Sequence, residues 1–208
     1  KDLASYLNGY LPHLLEQHFH NKGTKVIHLS TDCVFSGKNA PYYEQSSYDG
    51  DTFYDRSKAL GEIINSKDLT FRMSIIGPDM KADGIGLFNW FMAQSDSVNG
   101  YTGAIWSGIT TIELAKGISK AIEQNLTGLY HLVPKNNISK YELLRLFAKV
   151  YKNDRITVNP DNTVALDKTL INSRDDFNYS VPNYEVMLNE MKQWINDHRN
   201  LYEHYGSK

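Results

Sequence analysis

The feature that most constrains this chain is the order of its periodicities across residues 1–78: helix, apolar run, helix, apolar run. Leu3, Leu7, Leu11, Leu14 and Leu15 recur at helical spacing up to His18, and Pro12 predicts a kink within that helix. Asn21-Lys22-Gly23 ends it, and Lys25-Val-Ile-His-Leu-Ser30 then reads as a short buried strand. A second helix is expected from Tyr54 to Ile64, and a second strand from Thr70 to Ile76, closed by Gly77-Pro78. Strands that alternate with helices in this way are joined by crossovers, so they pair in parallel within an open α/β sheet.

The rest of the chain is more mixed. Leu87 to Met92 is helical in pattern, and Thr110-Thr-Ile-Glu113 is a capping box opening a helix to about Gln124. Gly128 to Val133 suits a strand. Ser139-Lys-Tyr-Glu142 is a second capping box, before a helix with Leu143, Leu146, Phe147 and Val150 on its core face. Met187, Leu188, Met191, Trp194 and Ile195 mark a last helix from about Tyr184 to His198.

At 208 residues, 41% hydrophobic and with net charge -2, the chain has no electrostatic bias toward nucleic acid or an anionic membrane. No apolar run approaches a bilayer span, and no signal peptide opens the sequence. A lone cysteine, Cys33, excludes an internal disulfide and fits a reducing cytoplasm. His18, His20 and His28 have no acidic or cysteine partners at ligand spacing, so no metal site is expected.

Chemistry gathers around Thr31, directly after the first strand, where open α/β sheets collect ligands. Tyr54 and Lys58 lie four residues apart, on one face of a helix. A hydroxyl, a phenol and an amine suit carbonyl reduction, because hydride addition creates alkoxide character that needs a proton donor beside it. An unperturbed phenol, with a pKa of about 10, is a weak acid, and a neighbouring ammonium is expected to lower it. Thr31 would hold the same oxygen in line. Cys33 has no activating base and reads as a pocket wall, not a nucleophile.

Three strings in order sharpen the reading: Ser30-Thr-Asp-Cys-Val-Phe-Ser-Gly37, Tyr54-Asp-Arg-Ser-Lys-Ala-Leu-Gly-Glu62 and Arg72-Met-Ser-Ile-Ile-Gly77. Together they resemble the dTDP-4-dehydrorhamnose reductase-like branch of the extended short-chain dehydrogenases. The resemblance implies the C-terminal part of an NAD(P)-binding Rossmann fold plus a smaller mixed α/β substrate-binding lobe. Residues 1–78 would be half of the dinucleotide-binding domain and 79–108 the start of the substrate lobe. Residues 109–133 would return to the Rossmann core, and 134–208 would complete the lobe.

The same resemblance assigns roles. Thr31, Tyr54 and Lys58 would be catalytic. Asn8, Ser30, Tyr54, Lys58, Ser74 and Ile75 would lie at the cofactor, NADP or NAD. Asp32 and Cys33 would line the sugar pocket, with Cys33 standing where tyrosine is commoner. Asn89 and Trp90 resemble positions that touch a nucleotide. Trp106, Lys168 and Arg174 are further substrate-side candidates, since cations suit a diphosphate and an indole suits a ring face, against the alternative of packed or solvated side chains.

The implied activity is reduction of the 4-keto group of a nucleotide-activated deoxysugar, in the cytoplasm, toward dTDP-rhamnose and cell-surface polysaccharide. The helices around Leu3–Leu15 and Tyr54–Ile64 resemble those that build dimers in relatives, leaving room for a homodimer. An epimerase or dehydratase of the same superfamily, or a non-catalytic regulatory subunit, are the competing readings. The sequence contains no Gly-x-x-Gly-x-x-Gly turn to receive a pyrophosphate, so that segment is expected upstream of Lys1.

Overall fold

The N-terminal helix carries its proline as a change of helical pitch. In a computed structural model that describes residues 1–205, α1 (Asp2–Ala4) runs through a π-helical stretch, Ser5–Tyr10, into α2 (Leu11–Phe19). Pro12 sits in the first turn of α2. Its ring would strike the carbonyl four residues back, that of Asn8, and the wider π turn relieves that clash. The Asn8 carbonyl faces Gly61, where a Cβ would stand 1.8 Å from the oxygen, so that position admits no side chain without a shift of backbone. The expected apolar stripe is solvent-facing: Leu3, Leu7, Leu14 and Leu15 are exposed, and Pro12 is the residue of α2 that is buried.

Downstream follow β1 (Ile27–Thr31), α3 (Phe53–Leu60), β2 (Leu69–Met73), β3 (Ile75–Ile76), α4 (Leu87–Met92), β4 (Ser97–Trp106) and β5 (Ile109–Thr110). The remaining elements are α5 (Thr111–Glu123), β6 (Gly128–His131), β7 (Ile138–Ser139), α6 (Lys140–Lys152), β8 (Thr157–Asp167) and α7 (Tyr184–Asp197). They form two units. The first comprises Lys1–Ser74, Gly117–Val133 and Asp167–Tyr179, and the second takes the segments between them and the chain from Ser180 onward. The chain therefore leaves the first unit at Ser74, and Asp167–Tyr179, expected in the substrate lobe, belongs with the parallel sheet.

The sheet of the first unit has the order β1-β2-β6, all parallel, with β1 at one edge. Its centre, β2, is buried throughout, as expected of a strand covered on both faces. Phe71 meets the rings of Tyr130 and Phe177. Thr70, next along the strand and so on the opposite face, bonds both backbone groups of Ile63. Helix α3 opens on a capping box, Thr52 with Asp55, and stops at Gly61, earlier than expected. Ile63 is buried in the following turn, while Leu60 and Ile64 are exposed. Val34, Phe35, Tyr42 and Leu170 form a buried cluster on the loop side.

In the second unit β3 pairs with β5, and a separate sheet has the order β7-β4-β8. Sequence periodicity gave no sign of β4 or β8, because Gly100, Gly103 and Pro160 interrupt them. Gly100 has a structural reason: a Cβ there would lie 2.7 Å from the Cα of Tyr141, where α6 crosses β4. Phe88, Phe91, Phe147 and Tyr151 make the aromatic core under α6, with Met187, Leu188 and Met191 of α7 also buried. The Ser139–Glu142 capping box that opens α6 forms as expected.

Candidate active site

The parallel sheet delivers Thr31 to the carboxyl end of β1, level with Met73 of β2. There the chain turns into a 3-10 segment capped by Thr31 itself, whose Oγ1 accepts from the Cys33 amide at 3.2 Å and donates to Asp32 Oδ1 at 3.2 Å. Asp32 is buried and Cys33 half-buried. Burial and the Asp32 carboxylate push the Cys33 thiol up, so it is held protonated and suits a pocket wall.

Helix α3 presents Tyr54, 49% exposed, and Lys58 on one face. Burial raises the Tyr54 phenol above its usual pKa, and the nearby Cys33 and Asp32 add to this, while a hydrogen bond with Thr31 pulls it back. This reverses the expected direction. The Lys58 ammonium donates to the Leu29 carbonyl at 2.7 Å, and burial lowers its own pKa, with Glu62 partly opposing. In this arrangement desolvation of the phenol outweighs any pull from the lysine.

Asn8 Nδ2 donates to Ser57 Oγ at 3.1 Å, and that hydroxyl donates to the Tyr54 carbonyl at 2.8 Å. Asn8 thus braces the backbone of α3 beneath the phenol. Ser30 turns away from this surface and donates to Glu62 Oε1 at 2.5 Å. Ser74 is half-buried and Ile75 exposed, at the point where the chain passes from one unit to the other.

The remaining candidates divide. Lys168 lies near Cys33, close enough to favour its thiolate electrostatically. Its segment is held against the loop after β1 by Tyr42 N to Thr169 O at 2.9 Å and Ile171 N to Tyr42 O at 2.8 Å. Arg174 is committed to structure: it bonds the Thr127 and Leu129 carbonyls at 2.7 and 2.8 Å, pairs with Asp176, and covers the Tyr130 ring.

In the second unit, Asn89 is buried and ties the carbonyls of Ala82 and Gly84. Trp106 is buried too, with the Lys140 ammonium 4.5 Å from its ring and Tyr184 bonding its carbonyl. Trp90 behaves differently. It is 42% exposed and lines a cavity of about 570 Å³ with Leu87, Val98, Asn99, Tyr101 and Lys140. Sequence reasoning missed Tyr101 and Lys140, which carry no motif. It also quoted Glu62 and Arg72 inside its strings without giving either a role.

A strand ending in Thr31, followed by a helix that offers Tyr54 and Lys58 on one face, has the architecture of an extended short-chain dehydrogenase fold. The RmlD substrate binding domain family matches residues 1–174, and the chain belongs to it. Over 146 residues it is 28% identical to the spore coat polysaccharide biosynthesis protein SpsK of Bacillus subtilis (strain 168), covering 68% of this chain and 51% of that protein. The chain spans about half the length of this curated relative.

Among solved structures it is similar to the dTDP-4-dehydrorhamnose reductase of Bacillus anthracis str. Ames in complex with NADP, at TM-score 0.77 and 23% identity, covering 93% of this chain and 73% of that one. It is also similar to the dTDP-glucose 4,6-dehydratase of the same strain in complex with NAD, at TM-score 0.73 and 15% identity, covering 97% and 71%. Reductases and dehydratases share the fold, so the side chains must separate them. Among the described residues no helix is long and apolar enough to cross a membrane, and no cluster of possible metal ligands occurs.

Proposed function

We propose that this chain forms the proton-donating and sugar-binding part of an NAD(P)H-dependent reductase of a 4-keto nucleotide sugar, acting in polysaccharide precursor synthesis. The observation that carries the reading is Thr31 at the carboxyl end of a parallel strand beside a helix that presents Tyr54 and Lys58 on one face, with the Lys58 ammonium bonded to the Leu29 carbonyl of that strand.

The residues fit the nicotinamide-ribose end of NADP or NAD. An ammonium has three donors; Lys58 uses one on Leu29, and the others suit ribose hydroxyls. The glycine turn that would take the pyrophosphate is not in this sequence, so these residues do not hold the phosphates. A bound reduced nicotinamide would supply the hydride. Tyr54 would give its proton to the carbonyl oxygen, which gains the π electron pair when the carbon is reduced. The Thr31 hydroxyl, turned from Asp32 Oδ1, would donate its one proton in a hydrogen bond to the same oxygen and steady its developing charge. Burial keeps Tyr54 protonated at neutral pH, the state a donor needs.

Within the second unit, the cavity lined by Trp90 and Tyr101 has the chemistry to bind a nucleotide base, with aromatic faces for stacking and Lys140 for a negative group. A dehydratase needs an additional acid or base beside Asp32. Cys33 stands there with a thiol pushed up by burial, which favours the reductase. Names of relatives support the setting: one is a reductase of dTDP-4-dehydrorhamnose, another a coat polysaccharide biosynthesis protein.

The test is turnover of NADPH or NADH by the full-length protein with dTDP-4-dehydrorhamnose. Tyr54→Phe should lose roughly 10²- to 10⁴-fold in kcat while remaining folded. Wild-type turnover in that variant, or a product formed without net oxidation of the cofactor, would remove the reading.

A further inference from the structure

The three sequence strings meet at a place where no reaction chemistry is needed. Ser30, Arg72 and His131 stand side by side in one register row across β1, β2 and β6, so their side chains share a face of the sheet. Glu62, from the turn after α3, covers that row. It takes Arg72 Nε at 2.9 Å and Nη2 at 2.5 Å, Ser30 Oγ at 2.5 Å and Tyr48 OH at 2.8 Å.

The guanidinium lies 4.9 Å from the Phe35 ring and 5.4 Å from the Tyr48 ring, and its third nitrogen donates to His131 Nε2 at 2.8 Å. That bond fixes the imidazole as neutral, with its proton on Nδ1 directed to the Ile171 carbonyl at 2.9 Å. Glu44 extends the chain of bonds through the His131 amide and Ser173. Its members come from the strand bearing Thr31 (Ser30), the turn that follows the helix bearing Tyr54 and Lys58 (Glu62), and the loop after β1 (Phe35 and Tyr48).

A buried ion pair of this kind is often no more stabilising than apolar residues of equal volume, so stability is a weak reason for its presence. Its members adjoin reacting groups in sequence: Ser30 precedes Thr31, and Glu62 follows Lys58 by one turn of chain. We infer that Ser30 and the Glu62–Arg72 pair are positioning residues that set the Thr31 hydroxyl in register with the Tyr54 phenol. This rests on the proposed role of Thr31 and Tyr54 in proton delivery.

Removing Glu62 would strand Arg72 and could unfold the protein, so the decisive variant is Ser30→Ala. It removes the side-chain bond from β1 to Glu62 and leaves the Glu62–Arg72 pair and the backbone ladder between β1 and β2 intact. In the full-length protein with NADPH and dTDP-4-dehydrorhamnose, kcat should fall roughly 10- to 100-fold with KM unchanged, because a small misplacement of a reacting group is costly. Ser30→Thr should restore it. A purely structural role would instead lower the melting temperature and leave kcat per folded molecule unaltered, and that result overturns the inference.

Amide exchange at Cys33, whose N–H bonds Thr31 Oγ1, gives a second readout independent of turnover. It should speed up on the order of tenfold in Ser30→Ala, with Phe71 in the central strand unchanged. If the wild-type protein reduces no keto sugar, the proposed function fails. Exchange at Cys33 then decides the positioning alone: acceleration supports it and no change overturns it.

Discussion

Replacing Glu62 by Leu should nearly unfold the first unit, and replacing Arg72 by Met as well should partly rescue it. The side chains of Arg72 and Glu62 are 0% and 1% exposed, so a lone guanidinium left there has no water to replace its partner. Breaking a buried pair on one side costs about 3–5 kcal/mol. The Ser30 hydroxyl, also buried, loses its acceptor and adds about 1–3 kcal/mol. Tyr48 is 45% exposed and can turn to solvent, so it adds little. The sum, about 4–8 kcal/mol, is comparable with the whole stability of an ordinary domain, about 5–15 kcal/mol.

The double variant removes the stranded charge and should recover at least about 2 kcal/mol over Glu62→Leu. Urea unfolding followed by tryptophan fluorescence and circular dichroism measures both. The pair also has a pH signature. Burial pushes the Glu62 carboxyl up, but the hydrogen bonds and charge of Arg72, with Ser30 and Tyr48, bring it below the ordinary value. A depressed carboxylate contributes stability that is present above the unfolded pKa, about 4.3, and lost as pH falls through the folded one. Wild-type stability measured relative to the double variant should therefore fall as pH drops into the acid range, whichever of the two is the more stable at neutral pH. A double variant no more stable than Glu62→Leu would refute the reasoning, because the cost would then lie in packing and not in an unpaired charge.

Two further outcomes follow from the same structure. His28, lowered to about 4 by burial and by Lys58 against Glu62, and His131, lowered to about 4 by burial and Arg72 against Glu44, are both neutral when folded. Their folded pKa values lie below the unfolded value of about 6.5, so the unfolded chain binds more protons between about pH 4 and 6.5, and stability should rise with pH across that window by up to about 1.4 kcal/mol per pH unit for each histidine. Denaturation midpoints measured against pH should lose about half that slope in His131→Gln, and an unchanged slope would place its titration elsewhere. Trp90→Ala should weaken dTDP binding roughly 5- to 150-fold, the range of one base–aromatic stack, as read by calorimetry; unaltered affinity would remove the base from the cavity it lines.

How much of this was legible in the sequence depended on the kind of signal each residue leaves. The placement of Thr31 at a strand end and of Tyr54 and Lys58 on one helix face was readable because strand and helix periodicities are local. The Ser139 box, and the Glu113 amide bonding the Thr110 hydroxyl, were readable because capping is local. Strands β4 and β8 were not, since their glycines and Pro160 answer to neighbours distant in sequence, such as Tyr141 against Gly100.

The direction of the Tyr54 pKa was misjudged for a similar reason. Helical spacing places Lys58 on the same face, but the Leu29 carbonyl that engages its ammonium is set by β1, and burial, with Cys33 and Asp32 from the segment after β1, raises the phenol. Arg174 and Trp106 looked like ligand residues by type and proved committed, one to the carbonyls after α5 and the other to Lys140 and Tyr184. Glu62 and Arg72 are the instructive case. They stood in plain view inside the motif strings, yet no local rule pairs a turn after a helix with the second strand. Only the register row of Ser30, Arg72 and His131 makes their contact intelligible, and it joins the segment carrying Thr31 to the segment carrying Tyr54 and Lys58. On the proposed roles of Thr31 and Tyr54, the motif would encode a geometry as well as a chemistry, which is why substitution of Ser30, Glu62 or Arg72 should be read in kcat as well as in stability.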